Sequence, residues 1–307
     1  KTLDSIEINL DYAKACLATK SNLDEAKETL MEILEIHPDL AEAKALLAEA
    51  YEANQEFDSS LQVYKEALDS HLRENPDWLT RLSLGISKVY LKKNQPENAI
   101  AVLNSALQNT NDEQEILKFL SKAYHAANLR EKAIWAAKSV LDLNPIDEKN
   151  LDWFIEQTID MGSINKAIDV LEEKIQNNPV AASHLIKLGW LYFYEGDYEK
   201  ANTAFSKIKQ IEQVSSTELL KASEGLIAIN DIPSAIDLIE KGIELCNSSG
   251  DTDIIPELLL AKIDAYQKNS AIDLALETLE EAIKLSPQNP VLIKKRAGLL
   301  LDLHAVD

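Results

Sequence analysis

Residues 187–205 read KLGWLYFYEGDYEKANTAF. With the flanking positions included, apolar side chains fall at Leu185, Leu188 and Tyr192, then at Ala201, Phe205 and Ile208. Each set has the spacing of one helical face. Between them stands Gly196, a residue type that tolerates the left-handed backbone with which helices end. The stretch therefore predicts two amphipathic helices joined by a tight turn. It also holds six of the eighteen aromatic residues in the chain: Trp190, Tyr192, Phe193, Tyr194, Tyr198 and Phe205. Whether they form a ligand-binding cluster or an ordinary core depends on the direction in which each ring points.

Working outward, KANTAF is one of a series of similar segments: EAKETL, NAIAVL, KAIWAA, KAIDVL, SAIDLI and LALETL. Their alanines are Ala26, Ala99, Ala133, Ala167, Ala201, Ala235 and Ala275. From Ala99 to Ala235 the steps are four times 34 residues. The gap of 73 between Ala26 and Ala99 divides into 34 and 39 when Ser60 of SSLQVY takes the missing place, and the last step is 40. Asn94, Asn128, Gly162, Gly196 and Asn230 stand between the two helical runs of successive repeats. Pro38, Pro145, Pro179 and Pro287 close several repeats, where a second helix must stop. Each repeat thus reads as two antiparallel helices of about 12–14 residues.

The sixth repeat, with Leu185, Leu188, Gly189, Tyr192, Gly196, Asp197, Tyr198, Ala201, Phe205 and Ile208, resembles the tetratricopeptide repeat family. The likeness extends over units near 7–40, 41–79, 80–113, 114–147, 148–181, 182–215, 216–255 and 256–289, with a capping helix over 290–307. The family's early Trp is usually Leu here, and Gly189 is the only Gly at its position. The resemblance implies an all-α, right-handed α-solenoid, one superhelical domain over 1–307, with the first helix of each pair lining a concave groove. Stacking the pairs makes one continuous core, because a single pair cannot bury its apolar face. Two insertions, LRENPDW (72–78) and CNSSGDTDII (246–255), interrupt the period and are expected to lengthen helix ends or loops.

Composition agrees with helix and narrows the partners. Only eight Gly and nine Pro occur in 307 residues, and the net charge is −21, from 52 acidic and 31 basic side chains. That field repels phosphate backbones and anionic membrane surfaces, so nucleic acid and direct membrane insertion are not expected. No apolar run approaches a transmembrane length. Cys16 and Cys246 suggest no disulfide framework. His37, His71, His125, His184 and His304 are scattered, with no metal-ligand spacing, and there is no phosphate-binding loop, dinucleotide fingerprint or nucleophile elbow. No cofactor and no catalytic residue are expected. The chain starts at Lys1 and stops at LLDLHAVD in mid-pattern, which reads as a processed chain or an excised fragment. The compartment is left open.

On a helical wheel, Leu185, Leu188, Gly189 and Tyr192 form the packing side of the first helix. Ile186, Trp190, Phe193 and Tyr194 centre about 140° away, on the side that the resemblance assigns to the groove. Tyr192, Tyr198 and Phe205 are accordingly expected in the core. The same wheel positions carry Leu220, Glu224 and Ile227 in repeat seven, next to the ring cluster. Repeats three and four carry Arg81, Lys88, Lys92, Lys118, Lys122 and His125 against one acid, Glu115, while repeats one and two carry Asp11, Glu42, Glu49 and Glu52. Trp153 and Trp135 are expected to be structural.

The resulting expectation is a non-catalytic interaction scaffold that receives a peptide segment of a partner protein. Ile186, Trp190, Phe193, Tyr194, Leu220 and Ile227 would supply an apolar anchor. Lys88, Lys92, Lys118 and Lys122 would orient acidic residues, unless these cations simply pair with acids of neighbouring helices. The arrangement does not resemble the clamp with which some relatives hold a C-terminal carboxylate, because repeats one and two offer mostly acids. Two other readings stay open: a recruiting arm of a larger enzyme, and a homo-oligomeric architectural array.

Overall fold

The computed structural model describes residues 3–69, 76–110, 112–177, 181–250 and 252–304; residues 72–75 of the first insertion, and Pro179, lie outside them. Among the described residues are 17 α-helices and no strand. They run in pairs: α1 (Leu3–Thr19) and α2 (Leu23–Ile36), α3 (Ala41–Ala53) and α4 (Phe57–Asp69), α5 (Pro76–Lys92) and α6 (Pro96–Leu107), α7 (Glu113–Ala126) and α8 (Arg130–Leu143). After α9 (Glu148–Asp160) and α10 (Ile164–Asn177) come α11 (Ala182–Glu195) and α12 (Tyr198–Lys207), α13 (Ser216–Ala228) and α14 (Ile232–Ser249), α15 (Ile255–Lys268) and α16 (Ile272–Leu285). The last helix is α17 (Pro290–His304). The second insertion is absorbed largely by α14, which reaches 18 residues, and Pro76–Trp78 of the first become the opening turn of a 17-residue α5.

The turns follow from the residues placed between the runs. Asn94, Asn128, Gly162, Gly196 and Asn230 all adopt left-handed backbone, with φ of 57°, 58°, 61°, 81° and 67°. Gln55 (φ 63°) and Ser270 (φ 59°) take the same place in repeats two and eight, without the residue types that favour it. At Asn94, Asn128, Gly196 and Asn230 the reversal lets the next amide reach back to the last turn of the first helix. Gln95 N–H donates to the Tyr90 carbonyl at 2.9 Å, Leu129 to Tyr124 at 2.8 Å and Asp197 to Tyr192 at 2.9 Å. These bonds satisfy carbonyls that the helix end would otherwise strand. At the other ends, Asp112, Asp197 and Asp231 accept from the third amide of the helix that follows. Ser215 and Glu218 form a reciprocal capping box before α13.

Inside each hairpin the period has a physical cause. Ala26, Ser60, Ala99, Ala133, Ala167, Ala201, Ala235 and Ala275 are all 0% exposed. Twelve residues before several of these stands a second small residue, also buried: Ala48, Ser87, Ser121, Gly189 and Ser223. These facing positions set how closely the two helices can cross. Ser60 is tolerated in the alanine column because its hydroxyl donates to the Ala48 carbonyl at 2.7 Å, and Ser121 does the reverse, to Ala133 at 3.0 Å.

The chain divides into two compact units, Lys1–Gly162 and Ser163–Asp307. In the first, buried residues such as Leu82, Ile86, Leu103, Ile116 and Leu120 hold successive helices together. In the second, Leu258, Ile263, Leu279 and Leu292 do so. Within each unit first helices also pack on first helices: α3 on α5 and α5 on α7, then α11 on α13 and α13 on α15. Phe205 of α12 is inserted between two of them. A Cβ built on Gly189 would lie 2.5 Å from its ring, and one on Gly225 only 2.3 Å away. Both positions must therefore be glycine for this ring to be fully buried where it is.

Candidate partner-binding site

The aromatic stretch resolves into two directions. Tyr192 and Phe205 are buried, as their spacing predicts. The Tyr192 hydroxyl donates to Glu172 of α10, Lys200 lies over its ring at 5.3 Å, and burial followed by that hydrogen bond raises the phenol's pKa. The expectation for Tyr198 is corrected: it is 57% exposed. As the first residue of α12 it lies outside the hairpin's crossing point, and its ring rests on Phe193 with centroids 5.7 Å apart.

Trp190, Phe193 and Tyr194 form one connected group on the end of α11. Trp190 meets Phe193 edge-on at 5.5 Å and Tyr194 at 6.3 Å, and Phe193 meets Tyr194 at 5.8 Å. Trp190 also stands edge-on to the buried Phe205 at 5.6 Å. Trp190 and Phe193 are half-buried, and Tyr194 is 65% exposed. Ile186, expected on the same side, is buried, as is Leu220, so neither offers much surface to a partner. Ile227 is half-buried.

The repeat supplies an internal control for Trp190. At its position α3, α5, α7, α9, α13 and α15 carry Glu49, Lys88, Lys122, Glu156, Glu224 and Asp264, and α1 carries Ala15. A charged residue at an open position is the rule in this column, and packing alone does not call for a large ring there. The column also exposes residues that the wheel did not single out. Leu220, Glu224 and Ile227 share a cavity of about 350 Å³ with Glu257, Leu260, Ala261 and Asp264. Leu260 and Asp264 stand 40 residues beyond Leu220 and Glu224, so the step through the second insertion could have located them. Burial pushes the Glu224 carboxyl above its ordinary range; Lys221 opposes the shift and Glu257 adds to it. Asp264 is held by Lys295.

The expected basic zone of the first unit is largely paired internally. Arg81 reaches Glu49 at 3.0 Å, Lys92 reaches Glu52 at 2.8 Å, and Lys118 reaches Glu115 at 2.9 Å. Lys88 and Lys122 both lie over the Phe119 ring, at 5.4 and 5.3 Å. Arg81 stacks on Trp78, which belongs to the first turn of α5. Trp153 is half-buried against the first unit's core, whereas Trp135 is 55% exposed, against the expectation that it is structural. No described helix is long and apolar enough to cross a membrane, and among the described residues no group of three metal-ligating side chains occurs.

Family comparison supports the reading of the repeat. Residues 17–77 and 185–211 each match a tetratricopeptide repeat model. The chain carries tetratricopeptide repeats. Proteins of this kind are generally interaction scaffolds. Among curated proteins, these repeats are similar to protein O-mannosyl-transferase TMTC1 of Homo sapiens, 25% identical over 187 residues. That match takes in 59% of this chain but spans only 20% of the human protein. Among solved structures, the C-terminal part of a TPR repeat-containing protein from Cytophaga hutchinsonii is 17% identical, with a TM-score of 0.46, covering 80% of this chain and 97% of that one. A tetratricopeptide repeat protein from Parabacteroides merdae is 17% identical, with a TM-score of 0.45, covering 85% and 99%.

Proposed function

We propose that this chain binds an extended or helical segment of a partner protein on the first-helix face of its second compact unit, with Trp190 as the anchor. The observation that carries the proposal is the tryptophan at a position that is charged in six of the seven other first helices of the repeats, backed by Phe193 and Tyr194. Contiguous aromatic surface of this kind marks interaction sites, and a Trp in a partly desolvated setting is a typical energetic centre. The partner residue meeting the rings is apolar. Its neighbours are cationic where they reach Glu224 and Glu257, because a cation there relieves the carboxyl group whose charged form burial disfavours. Acidic partner residues have no place on this face: Lys88, Lys92, Lys118 and Lys122 belong to the first unit, where Arg81, Lys92 and Lys118 are already paired.

Selection of peptides from a displayed random library, followed by titration, tests this reading. Selected sequences are expected to share an apolar residue flanked by Lys or Arg, and Trp190→Ala is expected to weaken them by about 2 kcal/mol, or roughly thirtyfold. Far-UV circular dichroism should be unchanged. Equal affinity for wild type and Trp190→Ala, or global unfolding of the variant, would refute the anchor.

A second reading has one observation in its favour, the likeness to a fifth of a protein named as an O-mannosyl-transferase. In it the array recruits substrate for catalytic residues located outside these 307 positions. A longer reading frame with a catalytic domain would decide for it.

A further inference from the structure

The second helices carry an internal control of their own. Two residues beyond the fully buried small position, the other repeats place Glu28, Gln62, Ala101, Asp169, Thr203, Asp237 and Glu277, every one exposed. At the corresponding place α8 carries Trp135. Packing within the repeat thus has no use for a large ring here. Leu143, two turns further along the same face of α8, is 48% exposed. Together they border a cavity of about 380 Å³ whose apolar wall is completed by Leu107 of α6 and Leu117 of α7. The cavity also meets Glu113, Ser139 and Asp142.

The polar lining has one sign. The Ser139 hydroxyl donates to the Trp135 carbonyl at 3.0 Å. What remains for a ligand is two exposed carboxylates, and neither Glu113 nor Asp142 is in an ion pair with another described residue. An apolar trough with an open indole and two unpaired acids matches a side chain that joins an aliphatic stem to a cationic head. A guanidinium group fits best, since it can stack on the indole and donate in plane to a carboxylate at once.

We propose that this outer face of α8 is a second docking surface, for an arginine-bearing basic segment of a partner protein. The arginine stem lies along Leu143 and Leu107, its guanidinium covers Trp135, and its N–H groups donate to Asp142 or Glu113. A second copy of this chain is a poor occupant. It would bring a further net charge of −21 and the same two carboxylates to the contact. The surface lies on a second helix of the first compact unit and is independent of the first-helix site around Trp190.

Two labelled synthetic peptides test it, one with arginines flanking a leucine and one with glutamates in place of the arginines. Each is titrated by fluorescence anisotropy into the whole 307-residue chain. The arginine peptide is expected to bind, to weaken as salt is added, and to lose at least about tenfold in affinity on Trp135→Ala. Asp142→Asn should weaken it several-fold, and the losses on Trp135→Ala and Asp142→Asn should also appear in a Trp190→Ala background, where the first-helix site no longer contributes. Trp135→Gln, which installs the residue type that repeat two carries as Gln62, controls for folding and should bind as weakly as the alanine variant. Four results overturn the proposal: no binding by the wild type, equal binding of both peptides, loss on Trp190→Ala but not on Trp135→Ala, or light scattering that shows a dimer dissolved by Trp135→Glu.

Discussion

Replacing Gly225 by alanine tests the account of the second unit's core, because two large effects oppose each other there. In a helix interior the change gains about 1 kcal/mol of intrinsic propensity. Against it, the new methyl carbon would lie 2.3, 2.5 and 2.6 Å from three atoms of the Phe205 ring. Ordinary carbon contacts sit near 3.5 Å, so the ring or the backbone of α13 must yield by about 1.2 Å. Phe205 cannot take up that displacement, for it is fully buried and Gly189 bounds it from the α11 side. Overpacking of this severity costs about 3 kcal/mol, so a net loss of about 2 kcal/mol is expected. Gly298 of α17 is the counter-case: nothing lies within 4 Å of its would-be Cβ, and Gly298→Ala should gain about 1 kcal/mol. Urea unfolding read by far-UV circular dichroism and tryptophan fluorescence measures both. Trp190, edge-on to Phe205, should report the disturbance in Gly225→Ala directly. Trimming the ring with Phe205→Leu in the same chain should recover part of the loss. If Gly225→Ala is as stable as wild type, the wedge between α11 and α13 does not exist.

The turns and one carboxyl group give further predictions. Gln55→Gly and Ser270→Gly should each stabilise by roughly 0.5–1 kcal/mol in a thermal melt, since both residues hold left-handed backbone that costs an ordinary side chain about 1 kcal/mol. Destabilisation by both would show that their side chains, not their backbone, set the turn. Glu224, flanked by Lys221 and Glu257 and lining one cavity with Asp264, binds its proton more tightly in the folded chain than at the ordinary value of 4.5. Its charge therefore disfavours folding at neutral pH, and the penalty is relieved as pH falls through the raised value. Glu224→Gln is expected to raise stability at pH 7 and to lose that advantage below pH 4.5, a trend that paired urea titrations would expose. A constant difference across that range would contradict the assigned shift.

The repeat frame was legible because it rests on positions with no freedom. The small column from Ala26 to Ala275 is completely buried, and the turn residues from Asn94 to Asn230 adopt the backbone their types favour. The division of rings in the opening stretch was legible only where the wheel and the neighbours agree, at Tyr192 and Phe205. A wheel fixes direction about one helix axis and says nothing of what lies across the gap. For that reason Ile186 and Leu220, placed toward a partner, are covered by their neighbours, while Tyr198 and Trp135, placed in the structure, stand open to solvent. The basic zone failed as a free surface for a related reason. Glu52 and Lys92 are 40 residues apart and meet only because α3 and α5 pack side by side. Phe205 against Gly225 was invisible because neither residue alone announces a close approach.

The ring that fills the space between α11 and α13 also bears on recognition. A binding tryptophan on a yielding base loses affinity twice, once in freezing its own rotamers and once in the retreat of whatever lies behind it. Trp190 is backed by Phe205, and Phe205 is backed on two sides by helix backbone with no methyl group to deform. The indole is thus mounted on a stiff support in the free protein, and much of the ordering cost of binding is met before any partner arrives. Stiffness behind the contact, as much as the contact itself, would set how tightly this face holds a ligand.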